Sequence, residues 1–142
     1  MKKSFTLLEM LVVIGIIAVL VGMGAVSYST AQKKARDSKR QSDLKVIQNS
    51  MEQYYSICTF KYSASIPSAG NTLVATTANC PNLSANVTLL TMPADPLGGS
   101  YSCVGTCNVS QYTICSPVVS GTSRLETQSC TTESNCCISN QQ

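Results

Sequence analysis

Glu9 and eight cysteines are the side chains whose placement in this chain invites chemistry. Glu9 sits in "KKSFTLLEML", near the head of an apolar run from Phe5 to Val26 whose only polar side chains are Thr6 and Glu9. A carboxylate at membrane depth is costly to insert. Part of the answer is local. Thr6-Leu7-Leu8-Glu9 has the spacing of a capping box, with Phe5 and Met10 at the hydrophobic-staple positions. A negative charge in the first turn also meets the positive end of the helix dipole. A cap offsets only part of the cost, and a direct positive partner offsets more. No Lys or Arg lies between Ser4 and Lys33. Lys2 or Lys3 can snorkel toward Glu9. A new α-amino group is the better partner, if the chain is cut before Phe5 and neighbouring helices pack side by side.

The cysteines are Cys58, Cys80, Cys103, Cys107, Cys115, Cys130, Cys136 and Cys137, all in the polar half behind the apolar segment. That distribution predicts disulfides in an oxidising compartment. A four-cysteine metal site is the competing use, but paired CxxC spacing is absent, so neither a metal site nor a cofactor is expected. Eight cysteines allow on the order of a hundred connectivities. The expected pairs are Cys103–Cys115 across a hairpin and Cys58–Cys80 across a loop. With no histidine, Ser–His and Cys–His nucleophile pairs are excluded, and no phosphate-binding glycine loop is present. An enzyme is not expected.

The elements that must position these groups follow from the pattern. The run from Phe5 to Val26 is long enough as a helix, about 33 Å, to cross a bilayer core. The helical pattern continues past it. Leu44, Ile47, Met51 and Tyr54 mark one apolar face at steps of three and four, and Ala31, Ala35, Ser38 and Ser42 are expected to extend that stripe backwards. Lys39 and Asp43 can pair at i,i+4. One helix from Phe5 to Ile57 is predicted, apolar all round at first and amphipathic later. Residues 58–100 read as loops punctuated by Pro67, Gly70, Pro81, Pro93 and Pro96, with a strand or helical turn at 86–90 and a turn cluster at 92–99. Strands are expected at 100–104, 111–119 and 122–128, and a cysteine-pinned loop after them. The fold class is α+β: a long N-terminal helix packed on a small antiparallel sheet. The expected divisions are a leader at 1–4, the helix at 5–57 (apolar to 28, amphipathic from 29) and a disulfide-rich head at 58–142.

"KKSFTLLEMLVVIGIIAVLVGMGAV" resembles the class III signal of type IV pilins and pseudopilins. The resemblance implies cleavage by a prepilin peptidase between Ser4 and Phe5, N-methylation of Phe5, and use of Glu9, beside Thr6, in subunit assembly. It also implies a homo-oligomeric helical filament, an assembly platform and minor pilins as partners, and membrane residence before assembly. The implied location is the cytoplasmic membrane, single-pass with an extracytoplasmic head, then an extracellular pilus serving adhesion, twitching motility or DNA uptake. Ser4 stands where the family usually has Gly. No acidic residue lies between Leu97 and Arg124, so the calcium site of major pseudopilins is not carried over.

Other uses of the same residues stay open. A secretion-system pseudopilin shares the helix. A membrane-anchored protein that never polymerises, or a released domain cut near Gly24-Ala25 or at 29–31, would also begin with an apolar helix. The formal charge of +3 is small, so the molecule is no polycation. The run "KKARDSKR" can meet DNA phosphates, or be a solvated helix face partly matched by Asp37 and Asp43.

Overall fold

A segment free of proline and rich in helix-tolerant residues stays helical until something stops it. Helix α1 runs unbroken over Leu7–Ile57 in the computed structural model, which describes residues 5–105, 107–118, 125–128, 130 and 136–141 (the side chain of Val26 aside). The expected leader 1–4, with Ser4, lies outside the described residues. The stop is built locally. Thr59 and Phe60 take left-handed backbone, φ 55° and 58°. The amides of Cys58 and Phe60 donate back to the carbonyls of Tyr54 and Tyr55 at 2.9 and 3.0 Å, closing the last turn.

Two compact units, Met1–Ala35 and Arg36–Gln142, divide the chain. In the first, every described side chain from Phe5 to Ala35 is exposed, and the apolar stretch is long enough to cross a membrane. In the second, α1 buries one face. Leu44, Ile47, Met51 and Tyr54 lie on it, each at most 3% exposed. The backward extension differs from expectation: Ala31, Ala35, Ser38 and Ser42 are exposed. Asp37 and Arg40 continue the stripe instead, because stepping back from Leu44 by four and then three residues lands on them and not on the serines.

Among the described residues the chain after α1 forms five short strands. β1 (Thr72–Ala75) and β2 (Val87–Thr91) pair antiparallel with an irregularity between Leu73 and Val74. β3 (Ser102–Cys103), β4 (Thr113–Cys115) and β5 (Cys137–Ser139) form a second antiparallel sheet in that order. Among the described residues there are thus two small antiparallel sheets, and β1 lies in a stretch read as loop. Its Leu73 and Ala75 are buried on one side of the strand, a burial that four residues between turn signals barely announce. The third strand beside β4 is β5, not 122–128. Residues 122–124 lie outside the described residues. Leu125–Gln128 forms no strand, and the amides of Glu126 and Thr127 donate to Asp37 rather than to a neighbouring strand.

Four disulfides close the head: Cys58–Cys80, Cys103–Cys107, Cys115–Cys137 and Cys130–Cys136. The expected Cys103–Cys115 pair is not made, and the register explains why. Ser102 faces Cys115, and Cys103 faces Ile114. One residue of offset sends the two cysteines to opposite faces of the ribbon. Cys115 instead lies directly across from Cys137 in the β4–β5 pair and bonds to it.

The core joins Ile47 and Met51 of α1 to Leu73, Met92, Tyr101 and Ile114. Replacing Ile47 by Ala should cost about 2–5 kcal/mol, read as a lower denaturant midpoint for the head. Val46→Ala, at an exposed neighbouring position, should stay within about 0.5 kcal/mol. Equal effects at the two positions would overturn this packing.

Candidate assembly site

Glu9 and Thr6 do what their spacing allows. The Glu9 amide donates to Thr6 Oγ1 at 3.2 Å. The Thr6 amide and hydroxyl both donate to Glu9 Oε2 at 2.9 Å. The reciprocal cap satisfies two of the amides that a helix start leaves without partners. It also folds the carboxylate back toward Phe5, the residue at the expected cut. Only Oε2 is engaged, while Oε1 makes no hydrogen bond among the described residues. Glu9, Thr6 and Phe5 are all exposed, so the carboxylate can accept a donor from outside the chain.

A second cluster lies in the head, and the sequence reading passed over most of it. Arg40 has no exposed surface. Its guanidinium forks onto Asp95, Nε to Oδ1 at 2.5 Å and Nη2 to Oδ2 at 3.0 Å. Nη1 donates to Asp37 at 2.9 Å and to Glu126 at 3.2 Å. Arg36 makes a second fork onto Glu126 at 2.6 and 2.5 Å. Asp37 also accepts from the amides of Glu126 and Thr127 and from the Thr127 hydroxyl. Asp43 pairs with Lys39, as the i,i+4 spacing suggests, and accepts from the Tyr101 hydroxyl at 2.9 Å. One helix face is thereby tied to the 92–99 turn and to residues 125–128. In that turn, Gly98 and Gly99 take φ 85° and 118°, and the Gly98 amide donates to the Asp95 carbonyl at 2.9 Å. The missed signal was available. Asp37 and Arg40 share the face of Leu44 and Ile47, and the polar half holds few acids to answer them: Asp95, Glu126 and Glu133.

The basic run is therefore largely engaged within the chain. Arg36, Lys39 and Arg40 each hold an acidic side chain, and Lys33 and Lys34 are its exposed remainder. Tyr54 is buried and Tyr55 stacks on Tyr62 at 4.5 Å, so both belong to the fold. Among the described residues no cluster of metal-ligating side chains occurs.

Residues 1–25 match the family model for the prokaryotic N-terminal methylation motif. The chain carries the class III prepilin signal of type IV pilins and pseudopilins. No curated protein and no solved structure matches the chain. The prepilin signal together with the exposed apolar helix fits a processed, membrane-anchored subunit of the pilin or pseudopilin kind.

The ion cluster sets a pH dependence. Arg36 hydrogen bonding, opposed by burial, holds the Glu126 carboxyl below its ordinary value. Burial pushes Asp37 up, but the Thr127 hydroxyl, the two amides and Arg40 together outweigh it, and its value is lowered. Depressed carboxylates stabilise the fold above their unfolded values and lose that contribution as pH falls through the folded ones. Burial, then the Glu52 carboxylate, pushes the Tyr62 hydroxyl up to about 12. Tyr101 and Tyr112 are raised by burial first and then by Asp43 and Glu52. Raised tyrosines stabilise the fold below their unfolded value, and the contribution is lost as pH climbs beyond it. The melting temperature of the full chain in detergent should therefore fall on both sides, below about pH 4.5 and above about pH 10. Arg40→Ala should cost about 3–5 kcal/mol near neutral pH, because it leaves buried carboxylates unpaired, and should flatten the acid limb. An unchanged acid limb in Arg40→Ala would refute the assignment.

Proposed function

We propose that the chain is the structural subunit of a type IV pilus-like filament. A prepilin peptidase cuts between Ser4 and Phe5, Phe5 is N-methylated, and the apolar part of α1 leaves the cytoplasmic membrane to pack in the filament core. In this reading the divisions are the leader 1–4, the helix 5–57 and the head 58–142, with the head outside the membrane and then on the filament surface. The observation that carries it is the match to the methylation motif over residues 1–25, with Glu9 capped and exposed just inside the apolar helix. The Phe5 amine of a neighbouring subunit supplies the positive partner that Glu9 lacks within its own apolar run. The open Oε1 accepts from it, and Oε2 keeps the cap. Four disulfides support a head that works in an oxidising compartment, and the role is structural rather than catalytic.

A pseudopilin of a secretion system is the second reading, since the same motif serves both. The heavily crosslinked head, without an acidic loop after the Asp95 turn, favours a surface-exposed pilus subunit.

Mass spectrometry of the N-terminal peptide from protein made in a host with a prepilin peptidase should find a chain starting at methylated Phe5. A chain starting near Val26 or Gln32 would refute the processing assignment. Glu9→Leu should insert into the membrane normally and lower filament yield at least tenfold. Thr6→Ala, which removes the hydroxyl and keeps the carboxylate, should lower it less. Normal filaments from Glu9→Leu would sink the pairing role.

A further inference from the structure

The four disulfides differ in what surrounds their sulfurs. Cys58, Cys80, Cys115 and Cys136 are at most 1% exposed, so three bridges each have at least one half sealed from solvent. Cys103–Cys107 has no buried half: Cys103 is exposed and Cys107 half-buried. Its two residues are 4 apart in sequence, against 22, 22 and 6 for the others. A bridge closing so short a ring removes the least freedom from the unfolded chain, so its opening costs the fold least. The flanking backbone is held by other means. The Val104 amide donates to the Thr113 carbonyl at 2.9 Å, Asn108 to Gln111 at 2.9 Å, and Tyr62 to Val109 at 2.8 Å. The Thr113 carbonyl oxygen also lies 3.6 Å from Cys107 Sγ, a position from which it can accept a hydrogen bond from a Cys107 thiol.

We propose that Cys103–Cys107 is a thiol-exchange site, modified by low-molecular-weight thiols of the glutathione class while the other three bridges and the folded head stay intact. An external thiolate attacks Sγ of Cys103, the more exposed residue of the pair. The Cys103–Cys107 bond breaks as a mixed disulfide forms on Cys103. Cys107 leaves as a thiolate and takes up a proton from water, and the resulting thiol donates a hydrogen bond to the Thr113 carbonyl. No net oxidation occurs, since one disulfide replaces another. A second external thiolate then attacks the outer sulfur of the mixed disulfide; Cys103 leaves as a thiolate and takes up a proton, and the two external thiols depart joined as their own disulfide, so they are oxidised as the pair is reduced. Exchange needs attacker access and a good geometry at the attacked sulfur, and among the four bridges exposure favours this one.

The test uses the full-length chain in detergent, exposed to graded glutathione at pH 8, quenched with acid, alkylated with N-ethylmaleimide and mapped by mass spectrometry. At low glutathione the expected product carries glutathione on Cys103 and N-ethylmaleimide on Cys107, with the other six cysteines still bridged and the near-ultraviolet circular dichroism unchanged. The Cys103→Ser/Cys107→Ser double variant should keep the native spectrum and lose the fast-reacting phase. Another bridge opening first, or all four opening together only under denaturant, would overturn the proposal. Glutathione recovered mainly on Cys107 would overturn the assigned direction of attack.

Discussion

Arg40 carries a full positive charge on a side chain with no surface in water. Such a charge is tolerable only where every donor finds an acceptor, because the cost of desolvation otherwise exceeds the gain from pairing. Asp95 takes two of its donors, and Asp37 with Glu126 takes the third nitrogen. Those acceptors come from three places in the sequence, and only one arrangement satisfies them together. The turn with Asp95 must sit over the helix at Arg40, and residues 125–128 must run close enough for Asp37 to accept two amides. A hydrophobic patch would tolerate sliding by a residue or a turn; a planar fork on a carboxylate does not. The apolar contacts of Leu44, Ile47 and Met51 supply the burial, and the ion cluster supplies the register.

The same logic governs the other acids on the second half of α1. Asp43 accepts from Tyr101, and Glu52 from Tyr62 and Tyr112. Each of these hydroxyls lies on a buried aromatic ring. A tyrosine buried on a helix needs an acceptor for its hydroxyl, and a helix carboxylate at the rim of the core needs donors. One contact meets both needs. The described acids of the head are thus engaged within the chain, which agrees with a small head whose sheets are too short to be held by ladder hydrogen bonds alone. Disulfides supply the rest, with Cys58–Cys80 pinning the end of α1 and Cys115–Cys137 pinning β5 to β4.

What could be read in advance follows from how far each signal reaches along the chain. The helix was legible because an apolar run of membrane length passes, without a proline, into a stretch whose apolar residues step by three and four, and the capping box was legible because its partners lie three residues apart. Leu44, Ile47, Met51 and Tyr54 were legible as core for the same reason. The strands were harder. β3 has two residues and β4 and β5 three each, too few for an alternation to declare itself. Register was not legible at all, and with it went the Cys103–Cys115 expectation, since a one-residue offset separates the faces. The ion cluster was hidden differently. Arg40 reads as a solvated residue in a charged run, and only its acceptors, 55 and 86 residues away, make it core.

Glu9 and Arg40 sit on the same helix and pose opposite problems. Arg40 is buried and each of its three nitrogens donates to a carboxylate of its own chain, so it fixes the packing around it. Glu9 is exposed, with one oxygen in the cap and the other making no hydrogen bond among the described residues. In water the open oxygen costs nothing, since solvent serves it. In an apolar environment it becomes the strongest unsatisfied acceptor on an otherwise apolar surface, and the penalty falls only when a donor arrives. A cap that fixes the carboxylate's direction before that donor arrives lowers the freedom lost on pairing. In the proposed filament the pairing of Glu9 is therefore favoured where water is absent, among packed helices, and weak where single chains meet solvent. On that proposal a charge placed this way links assembly to leaving water without any separate trigger.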